Sequence, residues 1–170
     1  IELNYEESKK IPLTNKAELI IGYGYFLSKF LDWIDTFFLV AKKKNSHISF
    51  LHVYHHAMVP LMGYIVFTHN PMVPPTYVFA LFNSLIHVIM YSYYALAALG
   101  PSLQPYLWWK KYLTQLQLVQ FLIYIVYFVL LSIFQSGYPK FWLYVGLSQP
   151  TIFLYMFYNF YCKSYKTKKN

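Results

Sequence analysis

Five long apolar stretches dominate this chain, near residues 19–41, 48–68, 76–98, 112–134 and 141–162. Each matches the ~20 residues that an α-helix needs to cross roughly 30 Å of hydrocarbon. The breaks between them carry turn chemistry: Asn45-Ser46, His69-Asn70-Pro71, Pro74-Pro75, Gly100-Pro101 and Ser136-Gly137. The stretches are too long for β-barrel strands and lack strict alternation. They are apolar nearly all round, which disfavours a soluble helical bundle. The pattern predicts an all-α polytopic membrane helix bundle, with five transmembrane helices in a single membrane domain covering residues 1–170.

Composition agrees. The chain is 58% hydrophobic and 22% aromatic, with 12% charged residues, against about 25% in an average soluble domain. Net charge is +8 and every basic residue is Lys. Lys42, Lys43 and Lys44 follow the first stretch, Lys110 and Lys111 precede the fourth, and Lys163, Lys166, Lys168 and Lys169 follow the fifth. If the spans alternate, all of these share one side. The opposite side holds Lys140, together with Lys9, Lys10 and Lys16 in a leader that also carries Glu2, Glu6, Glu7 and Glu18. The positive-inside rule then puts the basic tail 163–170 and the C-terminus in the cytosol. Topology and attraction to anionic lipid account for most of the lysines, and nucleic acid is not implied. The single cysteine, Cys162, excludes an internal disulfide.

Four groups of polar residues interrupt the apolar stretches. Ionisable side chains at membrane depth are costly and commonly mark function. His52, His55 and His56 fall at i, i+3 and i+4, on one side of a helix. In the first stretch Lys29, Asp32 and Thr36 share a face, with Asp35 at its edge. The third carries Asn83, His87, Met90, Tyr91 and Tyr94, and the fourth Thr114, Gln117 and Gln120. Each group has a structural reading too. Lys29 and Asp32 suit an intramembrane ion pair, His87 a packing cluster with its tyrosines, and the Gln set a bridge between helices. Depth separates these readings. At ~1.5 Å per residue from the cytosolic ends, Asp35 lies roughly 9 Å deep, His55 and His56 about 10–12 Å, His87 about 16 Å, and Gln117 and Gln120 about 8–12 Å. One shared layer predicts a polar chamber open to the cytosol and continued by an apolar tunnel. That suits a substrate with a polar head and a long alkyl tail. A transporter would need polar positions through the full depth.

Two chemistries compete for the three histidines. Imidazole is the commonest metal ligand, and metal-dependent membrane desaturases and hydroxylases use similar boxes. Those enzymes need roughly eight His ligands for two irons. This chain has six His, and His47 and His69 lie outside the usable layer. No Cys pair or carboxylate triad adds to them. Acyl transfer requires less: one imidazole as nucleophile or general base, and nearby Tyr, Asn or Gln donors for a developing oxyanion or enolate.

The four groups, in this order, resemble the ELO-type fatty acid elongases of the endoplasmic reticulum, which are 3-ketoacyl-CoA synthases. Lys29-Phe-Leu-Asp32-Trp-Ile-Asp35-Thr36 resembles the family's K-x-x-E-x-x-D-T box, with Asp32 where Glu is usual. His52-Val-Tyr-His55-His56 is similar to H-x-x-H-H, the run from His87 to Tyr94 to H-x-x-M-Y-x-Y-Y, and the run from Thr114 to Gln120 to T-x-x-Q-x-x-Q. The resemblance covers residues 27 to 165. It implies a seven-span fold of which the last five are present, so the chain is expected to be an N-terminally truncated fragment. It implies an acyltransferase that condenses a long-chain acyl-CoA with malonyl-CoA through an acyl-histidine. It also implies catalytic roles for His55 as nucleophile and His87 as second imidazole, with His52 and His56 orienting. Lys29, Asp32, Asp35, Asn83, Tyr91, Tyr94, Gln117 and Gln120 are the implied substrate- and CoA-binding residues. No metal or redox cofactor is implied, and malonyl-CoA is the co-substrate. The implied partners are a ketoacyl-CoA reductase, a dehydratase and an enoyl reductase, with homo-oligomerisation open. The tail Lys166-Thr-Lys168-Lys169-Asn170 has the form of a retrieval signal to the endoplasmic reticulum, read from the cytosol.

Overall fold

The apolar stretches are helices. The computed structural model describes residues 16–43, 48–69, 74–134 and 137–166. Five helices run through them: α1 Lys16–Ala41, α2 Phe50–His69, α3 Pro74–Ala98, α4 Lys110–Phe134 and α5 Lys140–Tyr161. A 3₁₀ helix, Pro101–Tyr106, links α3 to α4, and a π-helical turn, Cys162–Lys166, follows α5. No strand occurs among the described residues. Every helix end falls within three residues of the apolar boundary expected for it. The acidic leader before Lys16, the loop with His47, the Asn70-Pro71 turn and the last four positions of the retrieval-type tail lie outside the described residues.

The helices fall into two compact units, α1 with α2, and α3 from Val78 onward with α4 and α5. In the first, α1 and α2 run antiparallel. Phe26 meets Tyr64, ring centroids 6.4 Å apart, while nearer the other end of α1 Trp33 and Thr36 meet the turns around His56 and His52. Ser49 caps α2: its Oγ accepts the His52 backbone N–H at 3.2 Å, satisfying a donor that the first turn would leave open. A Cβ on Gly63 would lie 3.5 Å from the Phe26 ring, so the glycine sits at ordinary contact distance where the helices cross.

The second unit is an antiparallel run of α3, α4 and α5. Tyr93, Leu107 and Leu113 form a buried cluster at one end, with Trp109 edge-on to Tyr93 at 5.0 Å. Gly100 lets the chain turn out of α3; its φ of 118° is a conformation side chains resist. Along α4 and α5, Phe121 stacks on Phe153 at 5.6 Å, and Gln115 donates to the Tyr161 hydroxyl at 2.9 Å. The closest approach is at Gly146, where any Cβ would overlap the Phe128 ring. Small residues let membrane helices approach this closely. Gly146→Ala is therefore expected to destabilise the protein by about 1–3 kcal/mol through overpacking. Thermal unfolding in detergent checks this, with Gly24→Ala as the control, since a Cβ there meets nothing within 4 Å.

Val78–Ala98 and Lys110–Phe134 are long and apolar enough to cross a membrane. Their large side chains point outward: Leu81, Leu85 and Val88 on α3, and Val126, Val129 and Ile133 on α4, are all exposed. A helix from a soluble core would bury these residues. The most buried polar side chains are Lys29, Asp32, Asn83, Thr114 and Gln120. Apolar residues outside and polar residues inside suit hydrocarbon as solvent.

Candidate active site

Each unit holds part of the expected site. On α1, Lys29 and Asp32 are buried and paired, Lys29 Nζ donating to Asp32 Oδ2 at 3.4 Å. The i,i+3 spacing brings the groups together on one face, and the shorter aspartate still reaches the lysine. Lys29 Nζ also lies 5.0 Å from the centre of the Tyr25 ring. One turn on, Thr36 projects toward α2. Its Oγ1 lies 2.8 Å from His52 Nε2 and 3.3 Å from His56 Nδ1.

The three box histidines form one wall. His52 and His56 stack, ring centroids 4.1 Å apart and 25° from parallel. His55 packs on His56 with centroids 5.5 Å apart. The Trp33 indole N–H donates to the His56 backbone carbonyl at 2.7 Å, fixing the turn that carries the box. Asp35, one residue before Thr36, is half-buried. His52, His55 and His56 are all half-buried. The sequence places Thr36 on the polar face of α1 but does not show that it meets the histidines, and it gives Trp33 no role. Thr36 had a visible signal, its i+4 spacing from Asp32. Trp33 had none, since its role depends on a backbone carbonyl of another helix.

In the second unit, His87 and Tyr91 meet edge to face at 5.8 Å, and Tyr91 meets Tyr94 at 6.3 Å. Tyr94 is nearly half exposed. Gln117 Nε2 lies 3.7 Å from the Met90 sulfur. Gln120 is buried and donates to the Tyr124 hydroxyl at 2.8 Å; Tyr124 in turn donates to the Phe79 carbonyl at 2.8 Å. Phe79 lies one turn before Asn83, which is itself buried. Gln120 thus acts through Tyr124 as a bridge between α4 and α3, and Tyr124 stacks on Phe79 at 4.7 Å. Tyr124 was not singled out from the sequence, where it is one tyrosine among 19. Among the described residues no three His, Cys, Asp or Glu side chains converge as a metal ion would require.

Exposed apolar helices around buried polar side chains define an all-α membrane protein. The chain belongs to the ELO family, described as the GNS1/SUR4 family, whose model matches residues 4–170. It is similar to very long chain fatty acid elongase 5 of Tachysurus fulvidraco, 44% identical over 146 residues, which are 86% of this chain and 49% of the relative. It is 42% identical over 148 residues to very long chain fatty acid elongase AAEL008004 of Aedes aegypti, covering 86% of this chain and 41% of that one. Against very long chain fatty acid elongase 4 of Homo sapiens it is 43% identical over 149 residues, 86% and 46% of the two chains. The chain spans about half the length of the curated relatives it matches.

Proposed function

We propose that this chain carries the condensing site of fatty acid elongation. An acyl-CoA and malonyl-CoA give a 3-ketoacyl-CoA two carbons longer, with release of CoA and carbon dioxide. The observation that carries this reading is the histidine wall on α2, held by Thr36 and Trp33 of α1, in a chain of the ELO family. Relatives named as very long chain fatty acid elongases support it.

In this reading a His55 nitrogen attacks the acyl thioester. A C–N bond forms, the C–S bond breaks, and the departing thiolate takes up a proton. Malonyl-CoA loses carbon dioxide, and the electron pair stays on the adjacent carbon as an enolate. The enolate attacks the acyl-imidazole, a C–C bond forms, and the imidazole leaves. His87 assists decarboxylation or proton transfer, and His52 and His56 orient and hydrogen-bond. Lys29, Asp32, Asp35, Asn83, Tyr91, Tyr94, Gln117 and Gln120 line the chamber at the CoA-thioester end. All five helices cross the membrane as one domain, with an apolar tunnel beyond the chamber for the acyl chain. The chemistry uses no metal or redox cofactor. The product passes to a ketoacyl-CoA reductase, then a dehydratase and an enoyl reductase. The protein resides in the endoplasmic reticulum membrane with its C-terminus in the cytosol, consistent with the side that carries Lys42, Lys110 and Lys163.

The test supplies membranes containing the protein with labelled malonyl-CoA and a panel of acyl-CoAs. Labelled 3-ketoacyl-CoA is expected, and chelators should leave its yield unchanged. No labelled product, or product lost on chelation, would refute the reading.

A further inference from the structure

Thr36 stands between the first and last histidines of the box, 2.8 Å from His52 Nε2 and 3.3 Å from His56 Nδ1. A hydroxyl has one proton to donate and two lone pairs with which to accept. With both rings neutral, the arrangement that uses the hydroxyl's proton within the bridge has Thr36 donating to one ring and accepting from the other. If Thr36 donates to His52 Nε2, His52 carries its proton on Nδ1, and His56 donates from Nδ1. If His52 donates from Nε2, Thr36 donates to His56 Nδ1, and His56 carries its proton on Nε2. In both arrangements the two rings hold the same tautomer. The rings also stack 4.1 Å apart, and two positive charges that close repel strongly away from water. The stack therefore accepts one extra proton, not two.

We propose that Thr36 is a positioning residue that joins His52 and His56 into a one-proton unit and relays that proton between the rings. The step balances without a co-reactant. A proton arriving at His56 Nε2 makes that ring cationic. His56 then gives its Nδ1 proton to Thr36 Oγ1, as Thr36 gives its own proton to His52 Nε2. His56 is neutral again, Thr36 keeps a hydroxyl, and His52 becomes the imidazolium. No bond between heavy atoms changes, and the reverse transfer restores the start. The charged or titratable groups nearby are Asp35, one residue before Thr36, His55 against His56, and the Lys29–Asp32 pair one turn down α1. In the condensation, acylated His55 releases its ring proton to His56, against which it packs, and the departing thiolate takes one from His52, so the His52–Thr36–His56 unit passes one proton and ends neutral. That last assignment rests on the elongase reading, whereas the tautomer coupling does not.

The test uses the protein in lipid nanodiscs with ¹⁵N-labelled histidine, alongside Thr36→Val and Thr36→Ser. Ring signals are assigned by their loss in His52→Asn and His56→Asn. In the unaltered protein the two rings should report the same tautomer. Thr36→Val, which keeps the branched shape without the hydroxyl, should shift both sets of ring signals, and Thr36→Ser should retain them. In turnover, Thr36→Val should lower kcat by about 100-fold, the low end for a positioned proton donor, with KM changed far less. Thr36→Ser should restore most of it. Opposite tautomers in the unaltered protein, or ring signals indifferent to Thr36→Val, would overturn the proposal. Matched tautomers that Thr36→Val disrupts, in a protein that makes no ketoacyl product, would uphold the bridge and refute the elongase reading instead.

Discussion

His55→Ala is expected to lower 3-ketoacyl-CoA formation by on the order of 10⁴-fold or more, as removal of a covalent nucleophile does elsewhere. The loss is expected in chemistry, not folding, because the contacts that hold the box do not use the His55 ring. The Ser49 cap, the Trp33 bond to the His56 carbonyl and the Thr36 bridge to His52 and His56 all remain. Circular dichroism and detergent unfolding of the variant should match the unaltered protein. The assay measures labelled ketoacyl product under saturating acyl-CoA and malonyl-CoA. Turnover that persists in His55→Ala would move the nucleophile to another imidazole.

Lys29→Met is expected to be the most destabilising single change, by about 3–5 kcal/mol. Both partners of the pair are buried, with the Lys29 side chain 4% exposed and that of Asp32 10%. Removing the ammonium takes away the cation beside a buried carboxylate, and keeping that charge out of water costs more than the lost attraction alone. The double variant Lys29→Met, Asp32→Leu should therefore recover much of the loss, since a buried ion pair replaced by apolar groups is commonly close to neutral in stability. Thermal unfolding in a fixed detergent measures both variants. A single variant as stable as the parent would show that the pair is solvated and carries little energy.

The helices were legible because their cause is local. Runs of Leu, Ile, Val, Phe and Tyr bounded by Asn-Ser, Pro-Pro and Gly-Pro leave the backbone few alternatives, and α1 to α5 begin and end close to those marks. Lys29 with Asp32 was legible for the same reason, because i,i+3 spacing sets the contact within one helix. The box histidines could be placed on one side of a helix, yet nothing in their spacing revealed which hydroxyl they would share. Thr36 lies 16 residues before His52, so that contact depends on how α1 and α2 cross. Tyr124 was hidden in the same way. Its hydrogen bond to the Phe79 carbonyl depends on the packing of α4 against α3, and in the sequence it looks like any other tyrosine on an apolar helix. Length and turns mark five stretches, whereas apolarity marks α3 from Val78 and α4. Polar residues interrupt the apolar run in α1, at Lys29, Asp32 and Asp35, and in α5, at Ser148 and Gln149.

The α2 histidine wall is proposed to take an acyl group from CoA. The most direct measurement is mass spectrometry of the protein incubated with acyl-CoA and no malonyl-CoA, with the peptide containing His52 to His56 sequenced. An adduct of one acyl group on His55 is expected, absent from His55→Ala and discharged as ketoacyl-CoA when malonyl-CoA is added. Ketoacyl-CoA formed with no acyl group on that peptide at any time would contradict the account.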